Sequence, residues 1–88
     1  MLERELSVIN PLGLHARAAA KVVRSSSLFT STIKLSHNGT TANARSILMI
    51  LRLAAPAGSK VKLHVDGEDE AAAAAAIEEL FTTGFGEI

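Results

Sequence analysis

The chain is predicted to form a single α+β domain over residues 1–88, with helices covering one face of an antiparallel sheet. Three observations carry this expectation. Apolar and polar residues alternate at Leu2–Val8 and Lys60–Val65, the period-two pattern of half-buried strands. Alanine-rich runs near residues 16–26 and 71–81 contain no Gly or Pro and have high helix propensity. An Asn38-Gly39 pair separates two short strand-like runs and tolerates the positive φ angles of a tight hairpin. The order reads strand, helix, strand, strand, helix, strand, helix. Eighty-eight residues can bury one modest core and are too few for two.

In the first strand Leu2, Leu6 and Val8 face inward, between Glu3, Glu5 and Ser7. Asn10-Pro11 turns the chain, and the first helix runs from about Ala16 to Ser26, fading into a serine run. Its packing face is Ala19, Val22, Val23 and Ser26; Arg17, Lys21 and Arg24 share the opposite stripe. Phe29 is expected to tuck under the following loop. Thr32–Ser36 and Thr41–Ala44 are strands joined by the His37–Thr40 hairpin. Ser46–Leu53 holds five consecutive apolar residues, which periodicity alone cannot separate from a buried strand. Ser46 as an N-cap and the Ala54–Gly58 stretch favour a short helix. A one-sided helix cannot bury all five, so either some of Ile47, Leu48 and Leu51 form an exposed apolar patch, which on a small protein marks a partner surface, or the helix is deeply buried. In Lys60–Val65, residues Val61, Leu63 and Val65 point inward. Glu68, Asp69 and Glu70 suit the first turn of the last helix, Ile77, Leu80 and Phe81 form its buried stripe, and Gly84 ends it.

Chemistry concentrates at Asn10-Pro11-Leu12-Gly13-Leu14-His15-Ala16-Arg17. This turn delivers His15 to the start of a helix, where free N–H groups and the macrodipole favour a negative charge. A neutral imidazole there has a nucleophilic nitrogen beside a ready anion site. Arg17 can fold over the same site and hold phosphate oxygens. The arrangement suits a phosphoryl group carried on histidine. His37 and His64 are read as solvated strand and turn residues rather than metal ligands.

The formal net charge of zero hides a polarised distribution. All nine acids lie in residues 1–5 or 66–88, while the span between carries Arg17, Lys21, Arg24, Lys34, Arg45, Arg52, Lys60 and Lys62. If the acidic ends gather away from His15, a basic face surrounds it and steers acidic protein partners. Nucleic-acid binding is disfavoured by the absence of Trp and Tyr and by the neutral total. The chain has no cysteine, its opening residues are charged, and its longest apolar run is far short of the ~20 residues needed to span a bilayer. A cytoplasmic domain without membrane insertion is expected.

Gly13-Leu14-His15-Ala16-Arg17 resembles the phosphorylation-site signature of the HPr family, the histidine-containing phosphocarriers of the bacterial phosphoenolpyruvate-dependent phosphotransferase system. The resemblance runs the whole chain and includes Ser46-Ile47-Leu48, Asp66-Gly67-Glu68-Asp69-Glu70 and the total length. It implies an open-faced β-sandwich, four antiparallel strands with three helices on one side. It further implies that His15 takes a phosphoryl group from enzyme I and passes it to IIA proteins. On this pattern Arg17 neutralises the phosphate, the N–H groups of Ala16 and Arg17 cradle it, and Arg24 and Lys21 assist recognition. Ile47, Leu48 and Leu51 would form the docking patch, and Ser46 a regulatory site for an HPr kinase/phosphorylase. The protein would be a monomeric stoichiometric carrier rather than an enzyme, with no cofactor and no metal. Two departures from the family's common pattern are Ala18, where many members have Pro, and Met49, where many have Gly. The alternatives are a regulator of the nitrogen-related branch and, from another class, a ferredoxin-like domain binding a small ligand.

Overall fold

Every predicted element is present and in the predicted order. The computed structural model describes residues 1–87 and contains β1 (Leu2–Ser7), α1 (Ala16–Ser26), β2 (Thr32–His37), β3 (Thr40–Asn43), α2 (Ile47–Arg52), β4 (Lys60–Asp66) and α3 (Glu70–Thr82). The strands form one sheet in the order β1-β4-β2-β3, and each neighbouring pair is antiparallel. Strand order was open in the sequence because alternation assigns a residue to a face, not a strand to a neighbour. Leu35 stands opposite Ala42 on one side and Leu63 on the other, so the apolar sets share one face. Leu6, Ile33, Leu35, Val61, Leu63 and Val65 are buried on that face beneath the helices. The hairpin residues Asn38 and Gly39 both have positive φ (53° and 83°), as a tight two-residue turn requires. No helix is long and apolar enough to cross a membrane among the described residues.

The packing face of α1 is turned slightly from the predicted one. Ala18, Ala19, Val22 and Ser26 are buried, whereas Val23 is half-buried at the edge. Ala18, Ala19, Ala73 and Ala74 are all buried, and their small side chains let α3 lie close to the sheet and α1 lie close to α3. The helix α3 starts at Glu70 rather than at Glu68. The reason is Asp69. Its carboxylate accepts the N–H groups of Thr30 and Ser31 at 2.8 and 2.9 Å and the Ser31 hydroxyl, clamping the α1–β2 loop onto the start of α3.

Those bonds, the Ser31 hydroxyl first and the Thr30 N–H next, hold the Asp69 carboxyl at about 2. An unfolded aspartate titrates near ~3.9. The folded value is the lower one, so the clamp's contribution to stability is complete above about pH 4 and is lost as pH falls through about 2. Thermal melts of the wild type should therefore weaken between about pH 4 and 2, and Asp69→Asn should flatten that dependence. An equally steep fall in the variant would assign the acid lability to other carboxylates.

Arg45 is used structurally. Its guanidinium donates to the Ser31 and Ser26 carbonyls at 3.2 and 3.0 Å and to that of Phe29, capping the end of α1 and its loop. Lys34, Lys60 and Lys62 project from the uncovered face of the sheet, as strand alternation demands. The expected basic face around His15 is therefore reduced by four of its eight cations.

Candidate functional site

The segment Asn10-Pro11-Leu12-Gly13 is a turn closed by the Gly13 N–H to the Asn10 carbonyl at 3.2 Å. Pro11 occupies its second position, where a preset φ is an advantage. Gly13 has φ +67°, and a Cβ there would come within 2.6 Å of the Ala55 carbonyl oxygen. The same oxygen accepts the Leu14 N–H at 3.0 Å, so the turn lies directly on the segment that follows α2. Glycine is required here on both counts.

This turn sets His15 as the N-cap of α1. Its backbone is extended (φ −80°, ψ −179°) and its carbonyl accepts the Ala19 N–H at 2.9 Å. Its ring takes the role that Ser or Asp plays in most caps: Nδ1 accepts the Arg17 N–H at 3.3 Å. The ring is half-buried, so it reaches solvent while remaining oriented. Ala16 and Arg17 are both exposed in the first turn, whose N–H groups have no intrahelical acceptors.

The other ring nitrogen meets a residue that no local pattern announced. Nε2 is bonded to a carboxylate oxygen of Glu87. The second oxygen of that carboxylate accepts Asn10 Nδ2 at 3.1 Å, and the same amide donates to the Gly13 carbonyl at 2.7 Å. Two acceptors around one amide nitrogen settle the orientation of the Asn10 side chain. The His15 bond is the main cause that holds the Glu87 carboxyl below its usual range, with Asn10 and the charge of Arg17 acting in the same direction. The expectation that the acidic ends lie away from His15 is thus corrected at one residue. The cause is the path of the chain after α3. Gly84, Phe85 and Gly86 all have positive φ (60°, 56° and 77°), which folds the tail back toward α1. Phe85 is buried edge-to-face on Phe81, with ring centroids 5.0 Å apart, and this burial offsets the strain of a left-handed phenylalanine. Lys21, placed by sequence on the free basic stripe, donates its ammonium to the Phe85 carbonyl and is half-buried. Arg17 and Arg24 remain exposed.

Ser46 caps α2 by accepting the Met49 N–H at 3.3 Å. Of the five apolar residues, Ile50 alone is fully buried. Leu48 is 75% exposed, Ile47 and Met49 are each nearly 40% exposed, and Leu51 is half-buried against the core. The patch therefore consists of Ile47, Leu48 and Met49, with Leu51 at its base. Leu12, in the turn before His15, adds a 68% exposed apolar side chain that sequence reasoning passed over. His64 contacts Glu3 across β1 and β4 at 3.2 Å, and His37 contacts the Lys60 carbonyl; no cluster of three metal-ligating side chains occurs among the described residues.

A family model described as the phosphorylation site of the HPr component of the phosphotransferase system matches residues 2–83. The chain belongs to the HPr family. It is 49% identical to the phosphocarrier protein HPr of Xylella fastidiosa, over 99% of this chain and 98% of that one. It is 46% identical to the HPr of Cupriavidus necator, with the same coverage. Among solved structures, HPr-C-His from Thermoanaerobacter tengcongensis superposes with a TM-score of 0.95 at 39% identity, covering 100% of this chain and 99% of the other. The open-faced sandwich of that family is the fold observed. The matches favour neither a regulator of the nitrogen-related branch nor a ferredoxin-like ligand-binding domain.

Proposed function

We propose that His15 Nδ1 accepts a phosphoryl group from enzyme I and passes it to IIA proteins, so that the chain acts as a stoichiometric carrier of the phosphotransferase system. The observation that carries this reading is the pair of bonds on the His15 ring. An ionised carboxylate can only accept, so the Nε2 bonded to Glu87 holds the ring proton. Nδ1 accepts an N–H from Arg17 and therefore presents a lone pair. The nucleophilic nitrogen is the one at the positive end of α1. Attack by this lone pair forms the Nδ1–P bond as the P–N bond of the donor phosphohistidine breaks, and the reverse steps deliver the group onward. The attack breaks the Arg17 N–H bond to Nδ1, and this released N–H, the Ala16 N–H and the Arg17 guanidinium stabilise the charge on the transferring group. This reading puts a single monomeric domain in the cytoplasm, requires no cofactor or metal on the carrier, and makes the protein a substrate of enzymes rather than an enzyme.

Intact mass after incubation with phosphoenolpyruvate and enzyme I tests it. The expected product carries one acid-labile phosphoryl group. An unmodified protein, with the same enzyme I active on another carrier, would overturn the reading.

The patch of Ile47, Leu48, Met49 and Leu51 on α2, with Arg24 and Arg17 on α1, forms the docking surface in this reading; α1 and α2 pack on one another. Lys21 serves it indirectly by holding the tail. Ser46 is the regulatory position, available to an HPr kinase/phosphorylase where the host has one. A phosphate there sits well at a helix start yet places a dianion beside the patch. Ser46→Asp keeps an N-cap and so keeps the fold. It should bind an acidic enzyme I about tenfold or more weakly, because like charges across an interface cost several kcal/mol. Unchanged affinity by titration calorimetry would remove this regulatory role.

A further inference from the structure

We propose that Glu87 is a positioning residue for His15: its carboxylate, oriented by Asn10, holds the ring proton on Nε2 and thereby keeps Nδ1 as the acceptor nitrogen. This rests on the phosphocarrier reading and deepens it. The two ring nitrogens of a free histidine exchange the proton freely, and a ring with its proton on Nδ1 has its lone pair turned away from the start of α1. Here an ionic acceptor faces one nitrogen and a backbone donor faces the other, so both bonds select the same tautomer.

The carboxylate is itself held in place. One oxygen is bonded to His15 and the other to the fully buried Asn10, whose amide also binds the Gly13 carbonyl of the turn that presents the histidine. The tail that brings Glu87 there is anchored independently, by Phe85 buried on Phe81 and by Lys21 on the Phe85 carbonyl. The proton balance of the transfer also favours this arrangement. When Nδ1 bonds phosphorus the ring becomes an imidazolium whose N–H is at Nε2, facing the Glu87 carboxylate. The proton stays on the same atom when the group arrives and when it leaves, and the carboxylate offsets the ring's positive charge in between. No proton has to enter or leave the site in either direction.

The test compares the wild type, Glu87→Ala and Glu87→Gln as full-length chains. The ¹⁵N shifts of the His15 ring are read at a pH where the ring is neutral, and the rate of phosphoryl uptake from phosphorylated enzyme I is measured on the same samples. In the wild type the ring should be almost wholly Nε2–H. Glu87→Ala should give a mixture of tautomers and slow uptake about tenfold, the scale of losing a partner that orients a functional imidazole. Glu87→Gln should recover part of both, because its amide oxygen still accepts the Nε2 proton while its NH₂ group faces the Asn10 amide unfavourably. The anchors at Phe85 and Lys21 do not involve Glu87, so thermal melts of the variants should stay close to wild type. An unchanged tautomer in Glu87→Ala would overturn the proposal, and so would a changed tautomer with an unchanged rate. A wild type that takes up no phosphoryl group would overturn the carrier reading instead, and the ring spectrum would still decide whether Glu87 sets the tautomer.

Discussion

His15→Ala should take up no phosphoryl group from phosphorylated enzyme I and should keep its fold. Loss of uptake should be complete, because no other side chain among the described residues combines a nucleophilic nitrogen with the start of α1 in this way. The structural cost is small by comparison. The substitution removes one N-cap bond, worth about 1 kcal/mol, and one contact to a tail that Phe85 and Lys21 hold separately. Intact mass gives the first result, and circular dichroism with a thermal melt gives the second. Residual stoichiometric uptake by the variant would move the acceptor elsewhere in the chain.

Phe81→Ala should be the most destabilising single truncation near the site. Phe81 is buried at the end of α3 and carries the edge-to-face contact with Phe85. Removing a buried phenylalanine costs about 3–5 kcal/mol, a large share of the roughly 5–15 kcal/mol that holds a domain of this size together. The melting temperature should fall by on the order of 15 °C or more. The loss has a second effect. Without its partner ring, Phe85 no longer offsets its left-handed backbone, so the Gly84–Gly86 turn loosens and Glu87 loses its place on His15. Urea unfolding should show the drop in stability, and amide hydrogen exchange should show faster opening at Phe85 and Glu87 than in the wild type. A loss below about 1 kcal/mol would mean that the tail is held by other contacts.

What could be read from the sequence was whatever depends on neighbours along the chain. The strands follow from alternation, the Asn38-Gly39 hairpin from its backbone requirement, and the cap at His15 from a turn followed by alanines. Ser46 and the exposure of Ile47 and Leu48 belong to the same class, since a six-residue helix cannot bury five apolar side chains, whereas Leu51, expected in the patch, is half-buried and Met49 takes its place. What escaped was set by the tertiary path. Glu87 lies 72 residues from His15, and a lone acid after a Gly-Phe-Gly stretch has no periodic or motif signal that aims it at a histidine. Asp69 looked like a residue of the first helical turn and is instead the acceptor for a loop 38 residues away. Arg45 and Lys21 looked like free surface cations and are donors to backbone carbonyls. In each case a polar side chain satisfies a distant partner, and such choices depend on which segments the fold brings together.

The most direct measurement is phosphorus and nitrogen NMR on the ¹⁵N-histidine-labelled protein after phosphorylation by enzyme I and phosphoenolpyruvate. The predicted spectrum shows a single phosphohistidine at His15, with phosphorus coupled to Nδ1 and the proton retained on Nε2. Phosphorus on Nε2, or on a residue other than His15, would contradict the account.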